Sequence, residues 1–240
     1  MKKISILLLC AGVAFAAFSQ KTINDPNAQK RAVSGFHGVA VSGSIELFLT
    51  QGNEESVVIS ADELKVRDKI VTEVRNGILH IYIENENKFH VDVSLHSKKM
   101  RAYVSAKDID YLSSAGSGKT HVDGKLKSDK LEINIAGSGN VDAGVDVKQL
   151  SLSLSGSANA DLSGNAENSD LHISGSGNIK NYEFSTGYCK ASISGSGNVR
   201  ITVTKELSAH ISGSGSVYIK GDGLIRDYSA SGSGKFKRVN

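Results

Sequence analysis

Apolar and polar residues alternate in short segments along the second half of the chain. In one segment, Ile133 and Ile135 are apolar and Asn134 between them is polar. The same order of apolar, polar and apolar residues recurs at 152–154, 171–173, 191–193, 209–211 and 228–230. A period of two is typical of a β-strand that buries one face. The pattern therefore predicts a series of short strands, each with one face in an apolar core.

A second short strand is predicted a few residues further on in each repeat. Its inward positions share one register and are occupied by Val141, Ala160, Ile179, Val199 and Val217. The residues around these positions are polar or charged, so this strand also has a single apolar face. Each repeat is therefore predicted to contain a strand, a corner, a second strand and a loop.

The corner between the two strands carries Gly-Ser-Gly or, once, Gly-Ser-Ala. These tripeptides begin at successive intervals of 21, 19, 19, 20, 18 and 19 residues. Such a period, with turn residues in one phase, predicts a solenoid built from stacked copies of one unit. Glycine suits a corner that requires a positive φ. The predicted structural corner residues are Gly116, Gly118, Gly137, Gly139, Gly156, Gly175, Gly177, Gly195, Gly197, Gly213, Gly215, Gly232 and Gly234.

An asparagine recurs at the position that follows the corner. The predicted ladder consists of Asn140, Asn159, Asn178 and Asn198. Stacked side-chain amides can hydrogen-bond along such a row, as they do in cross-β assemblies. We interpret the row as a structural ladder at a tight turn, and a sugar-binding edge is the functional alternative.

These features predict an all-β fold, a parallel β-helix-like solenoid with Gly-Ser-Gly repeats of about 19 residues, preceded by a less regular β-rich half. The repeat solenoid is assigned to residues 113–240 and the N-terminal β-rich region to residues 33–112. In that region Asn-Gly at 76–77 predicts a hairpin, Ser-Gly-Ser at 42–44 has the form of a diverged corner, and residues 91–95 alternate again. We expect this region to join the common core and to cap the repeat array.

The first residues have the pattern of a secretory signal peptide. Two lysines precede an apolar run over residues 4–18, and small residues near its end suit a cleavage site. Residues 1–19 are therefore predicted to be a signal peptide, and residues 20–32 a flexible leader into the first strand. We expect export to the periplasm, the outer-membrane surface or the medium, with no transmembrane segment in the mature chain.

Charge and cysteine content argue against several classes of function. The formal net charge is +3, and about +1 without the two lysines of the leader, which argues against a nucleic-acid or polyanion binder. The one cysteine outside the leader, Cys189, is in phase with apolar residues and is interpreted as a small buried hydrophobe. His172 and His210 share a register two repeats apart, too far for one metal without other ligands. No catalytic residue, metal ligand or cofactor is predicted.

A nucleotide site is also excluded by the pattern around one corner. Residues 115–120 read Ala-Gly-Ser-Gly-Lys-Thr and resemble the end of a phosphate-binding loop. That loop requires a glycine at position 113, where this chain has Ser113, and a helix after the lysine. The residues that follow instead predict a strand and a turn.

A carbohydrate-active enzyme is the alternative function, because parallel β-helices host polysaccharide lyases and hydrolases. Asp142 and Asp161 share a register one repeat apart, and two carboxylates at this spacing could form a glycosidase pair or bind calcium. The next repeats place Lys180, Arg200 and Tyr218 at the same position. This row favours a surface charge ladder with a contact between Asp161 and Lys180.

Several segments together resemble one known family. They are Phe-His-Gly-Val at 36–39, Asn-Gly-Ile-Leu at 76–79, and the repeated Ile-Ser-Gly-Ser-Gly-Asn units at 173–178 and 193–198. The chain from about residue 33 to residue 240 resembles the bacterial auto-transporter adhesin family with the head GIN domain. The resemblance implies a right-handed parallel β-helix-like fold, a secreted or cell-envelope location in the Bacteroidetes, and a role in adhesion. The family has no established catalytic residues, so none is transferred.

We therefore expect a non-enzymatic, exported cell-envelope protein, an adhesion or surface-interaction module with a glycan or a protein as its surface ligand. A structural or assembly protein is a further alternative, because open strand edges and flat ladder faces allow pairing into a homo-oligomer. Lys235, Lys237 and Arg238 after the last corner are interpreted as edge protection. Tyr182 could belong to a contact site, whereas Phe184 is expected in the core.

Overall fold

The computed structural model describes residues 25–84 and 99–239. Within these residues, 17 strands form one hydrogen-bonded sheet, and the single helix is short. The first strands are β1 (Gln29–Arg31), β2 (Gly38–Gly43), β3 (Ile45–Gln51), β4 (Ser56–Ala61), β5 (Ile70–Arg75), β6 (Ile78–Ile83), β7 (Met100–Ala106), β8 (Tyr111–Gly116) and β9 (Lys119–Gly137). They continue with β10 (Asn140–Gly156), β11 (Asn159–Gly175), β12 (Asn178–Lys180), β13 (Phe184–Gly195), β14 (Asn198–Gly213), β15 (Ser216–Lys220), β16 (Leu224–Ser231) and β17 (Lys235–Arg238). Helix α1 spans Leu64–Asp68.

The repeats stack in parallel and in register, which confirms the predicted β-solenoid. In the pairing of β10 with β11, each residue lies beside the residue 19 positions later, as Val141 lies beside Ala160 and Gly156 beside Gly175. The residues of each turn that lead up to a corner glycine, such as 150–156 of β10, form one face, which we call the leading sheet. The residues that follow a corner, such as 140–147 of β10, form the trailing sheet. Equivalent side chains therefore lie in rows along the solenoid, about 4.8 Å apart.

The apolar side chains of both sheets fill a continuous core. The inward row of the trailing sheet, predicted from the alternation, is buried throughout: Val141, Ala160, Ile179, Val199 and Val217. In the leading sheet Leu152, Leu171 and Ile193 are buried in the same way. Burial of apolar area at about 25 cal/mol per Å² is the main force that holds the turns together. Phe184 is fully buried, as expected.

The N-terminal half joins the same stack. Gly43 has a φ of +86° and lies beside Gly116, which confirms the diverged corner at residues 42–44. On the other side of that corner, β3 pairs in parallel with β9, as Leu47 lies beside Thr120. The row of corners therefore begins 73 residues before the regular repeats.

An insertion separates β3 from β7 along the chain. Within it β4 runs antiparallel to β7, and β5 and β6 form an antiparallel hairpin. Asn76 and Gly77 have φ values of 51° and 75°, the left-handed pair that a tight two-residue hairpin requires, so the hairpin prediction is confirmed. The hairpin extends the leading sheet, because β6 pairs with β2.

The prediction of a flexible leader over residues 20–32 is wrong for its C-terminal part. Residues 29–31 form β1, which pairs antiparallel with β4. The hydroxyl of Ser60 donates to Asp25, and together with nearby Arg101 it holds the pKa of this carboxyl below its usual value. The segment is polar because an edge strand exposes most of its side chains, and its order comes from pairing with β4. Residues 1–24 and 91–95 lie outside the described residues.

The last turn departs from the predicted pattern of burial. Tyr228 and Ala230 occupy inward positions, beside Ala209 and Ile211 of β14, yet both are exposed. Tyr228 retains 40% exposure because no further strand of the described chain covers it, and its ring packs at 5.6 Å from that of Phe236. Register alone therefore does not bury a side chain at the end of a solenoid.

Candidate ligand-binding surface

The corner glycines stack directly on one another along the solenoid. The first glycine of each predicted corner has a positive φ, between +84° at Gly156 and +126° at Gly195. A Cβ at Gly195 would lie 2.3 Å from the carbonyl oxygen of Gly175, far inside van der Waals contact. The second glycine is confined at Gly197, where a Cβ would lie 2.3 Å from the oxygen of Gly177. The first position of each corner therefore has no room for a side chain, whereas the second accommodates the methyl group of buried Ala158 in one corner.

The four asparagines after the corners form a continuous hydrogen-bonded row. The side-chain amide of Asn159 donates to Asn140 at 3.1 Å, Asn178 donates to Asn159 at 3.0 Å, and Asn198 donates to Asn178 at 2.9 Å. The amides of Asn159 and Asn178 also donate to the carbonyl oxygen two residues earlier. Because the amides of Asn159 and Asn178 are already satisfied within the protein, the geometry of these two residues favours a structural ladder over a sugar-binding edge.

A shallow groove of about 680 Å³ runs across the outer surface of the leading sheet. Two rows of outward side chains line it. The first row is Ser153, His172, Ser192, His210 and Ser229, and the second is Ser155, Ser174, Ser194, Ser212 and Ser231. The serines are short, so they keep the floor low over five successive strands. The groove presents hydroxyl and imidazole groups, but most of its accessible surface is apolar, and Leu154, Ile173, Ile193, Ile211 and Ala230 also line it. It is lined by no lysine, arginine or carboxylate.

The two histidines of the groove lie beside carboxylates that the sequence did not link to them. His172 Nε2 lies 3.0 Å from Asp170, and His210 Nε2 lies 3.6 Å from Asp227. A hydrogen bond of 2.7 Å joins His210 Nδ1 to Ser229 Oγ. The order serine, histidine and aspartate is that of a hydrolase triad. Here the aspartate is beyond hydrogen-bond distance, and the side chains of His210 and Asp227 are 54% and 59% exposed, so water is not excluded.

The two aspartates of the alternative enzyme hypothesis lie on the trailing sheet, away from the groove. Asp142 and Asp161 are neighbours in register, and both are exposed. Asp161 accepts a hydrogen bond from Asn181 at 3.0 Å. Lys180 is the neighbour of Asp161 in register, as the sequence predicts, but no ion pair joins the two side chains. Both aspartates are exposed side chains on the outer face of the sheet, and they do not line the groove.

A stack of aromatic rings in the trailing sheet was not found from the sequence. The ring of Phe48 lies 5.1 Å from that of Tyr103 and 5.4 Å from that of His121, nearly parallel to both. Glu46 lies beside them, 3.4 Å from His121. Phe48 lies between the other two rings, so both of its faces are covered, whereas Tyr103 and His121 each have one face in the stack. Irregular spacing between these three residues left no periodic signal in the chain.

Cys189 is buried, as the sequence predicts. Burial raises the pKa of its thiol to about 12, so it stays protonated and unreactive at neutral pH. In residues 25–84 and 99–239, no cluster of three or more histidine, cysteine or carboxylate side chains is arranged to hold a metal ion. The same residues contain no helix of the length and apolarity needed to cross a bilayer.

Stacked corners, inward ladders and regular outer faces define a parallel β-solenoid protein. Residues 35–223 match the family described as "Putative auto-transporter adhesin, head GIN domain". The chain belongs to this family, which confirms the resemblance seen in the sequence. No curated protein matches the chain.

Solved structures share the fold. A putative adhesin from Bacteroides fragilis is 24% identical, with a TM-score of 0.78, over 88% of this chain and 96% of the other. A protein from Parabacteroides distasonis described as a putative lipid binding protein is 25% identical, with a TM-score of 0.71, over 91% and 98% of the two chains. A putative adhesin from Parabacteroides merdae is 22% identical, with a TM-score of 0.60, over 89% and 95%.

Proposed function

We propose that this protein is an exported, non-enzymatic adhesion module of the cell envelope that binds a linear glycan in the groove of the leading sheet. Membership of the adhesin family supports a role at a surface. The leader pattern of residues 1–19 supports export. The open groove, with hydroxyl groups repeated on five strands, is the observation that carries the proposal.

The chemistry of the groove suits an uncharged sugar chain. Each serine hydroxyl both donates and accepts a hydrogen bond, as sugar hydroxyls do. The spacing of the rows, about 4.8 Å, is comparable to the length of one pyranose unit, so a linear chain can repeat its contacts from strand to strand. Exposure of the Ser229, His210 and Asp227 cluster favours binding without turnover.

A glycan array probed with the purified protein, together with a polysaccharide cleavage screen, tests this proposal. We compare the parent protein with the double variant Ser194→Gln/Ser212→Gln, which fills the exposed floor of the groove with uncharged bulk. The control is Ser196→Gln/Ser214→Gln, which makes the same change at exposed corner positions outside the groove. We expect saturable binding that falls at least about tenfold in the groove variant, as loss of several contacts predicts, and stays unchanged in the control.

Three outcomes would contradict the proposal. Equal binding by the groove variant and the control would move the ligand away from the leading sheet. Cleavage of a polysaccharide would establish an enzyme and direct attention to Ser229, His210, Asp142 and Asp161. No binding to any glycan would favour a protein ligand or self-assembly.

A further inference from the structure

Cations collect in one row on the C-terminal half of the trailing sheet. Lys180 follows the paired residues Ile179 and Val199, which places it beside Arg200. Arg200 lies beside Tyr218, and Tyr218 lies beside Lys237. We call this row, with Lys220 next to it, the basic strip; its members are Lys180, Arg200, Tyr218, Lys220 and Lys237. Earlier in the same row are Asp142 and Asp161, so the row changes from acidic to basic between Asp161 and Lys180.

The cations of the basic strip form no ion pair among the described residues, although Lys180 is the neighbour of Asp161 in register. Other cations of the solenoid do form ion pairs: Arg226 lies 2.9 Å from Glu206, and Lys148 lies 2.8 Å from Asp129. None of the carboxylates of residues 25–84 and 99–239 forms an ion pair with Lys180, Arg200, Lys220 or Lys237. Lys180 and Arg200 are like charges in register on neighbouring strands, which repel each other, and a bound anion would offset that repulsion.

Two tyrosines hold cations of the strip against the sheet. The guanidinium of Arg200 lies 5.1 Å from the ring centre of Tyr218, and the ammonium of Lys220 lies 5.1 Å from that of Tyr182. Such cation–π contacts restrict the side chains without neutralising their charge. Along the row, Lys180 and Arg200 occupy adjacent strands about 4.8 Å apart, and Lys237 lies two strands beyond Arg200, with Tyr218 between them.

We propose that the basic strip is a second binding site, which takes a linear anionic polysaccharide bearing carboxylate or sulfate groups. Positive charges on several strands along one face of the sheet match a polymer that carries anionic groups along its length. Arg200 and Lys220 cover the tyrosine faces on which nucleic-acid bases would stack, which disfavours single-stranded nucleic acid. The small net charge of the chain argues against polyanion binding, but the fold gathers unpaired cations on one surface.

Binding of dextran sulfate and of unsulfated dextran of the same length tests the site. The main variant is Lys180→Gln/Lys237→Gln, because both side chains are exposed and their replacement leaves the core intact. A second variant adds Arg200→Gln. The matched control is Lys125→Gln/Lys130→Gln, which removes the same charge from exposed positions outside the trailing-sheet row.

We expect the parent protein to bind dextran sulfate and not dextran, with affinity that falls as salt rises. The main variant should bind at least about tenfold more weakly, with a shallower dependence on salt, and the control should bind within about twofold of the parent. Equal weakening in variant and control would overturn the proposal, as would failure of the parent to bind. Tighter binding to single-stranded DNA or to phosphatidylserine vesicles than to dextran sulfate would also overturn it, in favour of those partners.

Discussion

At the scale of single residues, the corners show how the backbone of one turn limits the side chains of the next. Gly195 faces the carbonyl oxygen of Gly175, so its requirement for glycine arises from φ and from contact with another turn. Gly124 also has a positive φ, of +84°, but no atom lies within 4 Å of the position that its Cβ would take. Comparing the two positions therefore separates the free-energy cost of a positive φ from the cost of a steric clash with the next corner.

Replacing each of these glycines with alanine tests the separation. Gly124→Ala should lower the free energy of unfolding by about 1 kcal/mol, because alanine disfavours a positive φ. Gly195→Ala should lower it by at least about 2 kcal/mol more, since the methyl group would also displace the carbonyl of Gly175. Urea denaturation followed by circular dichroism measures both values. Equal losses of stability for the two variants would show that the clash with Gly175 adds no cost beyond that of the positive φ.

At the scale of strands and rows, pairing in register turns a repeated residue into a continuous ladder. The asparagine row could be predicted from the sequence, because the repeat period aligns its four members. The tight turn at 76–77 could be predicted for a similar reason, since its dipeptide specifies the local backbone. The stack of Tyr103, Phe48 and His121 could not, because those strands meet only through an irregular insertion.

The ladder predicts that position within the row decides the effect of a substitution. Asn178 both donates to Asn159 and accepts from Asn198, whereas Asn140 takes part in one bond of the row. Asn178→Ala should therefore cost about 1–2 kcal/mol of unfolding free energy, and Asn140→Ala about half as much. Chemical denaturation of both variants provides the comparison. A smaller loss for Asn178→Ala than for Asn140→Ala would contradict a cooperative ladder.

At the scale of the whole molecule, the two ends of the solenoid differ. The N-terminal end carries the antiparallel strands β1, β4 and β5. Among the described residues, the C-terminal turn has no strand beyond it, and all residues of β16 are exposed. In a solenoid each turn is stabilised by its neighbours, so a turn with a single neighbour opens more readily.

Hydrogen exchange should reveal this difference in stability. Amides of β16 and β17 should exchange faster than those of β14, because β14 pairs with β13 on one side and with β16 on the other. Mass spectrometry of peptides after timed exchange makes the measurement, and β14 serves as the internal reference. If β16 were protected as well as β14, a partner or further chain would have to cover the end of the solenoid.

The sequence by itself determined the repeat, the corners and the inward and outward rows, because these follow from short-range periodicity and from the conformational freedom of glycine. Only the tertiary structure decided that Gly43 stacks on Gly116, that residues 29–31 complete an edge, and that Tyr228 stays exposed. It also brought the serine and histidine rows into one groove and left the cations of the basic strip unpaired. Those outcomes depend on which distant segments pair, and that choice is made by packing of the whole core rather than by any local pattern.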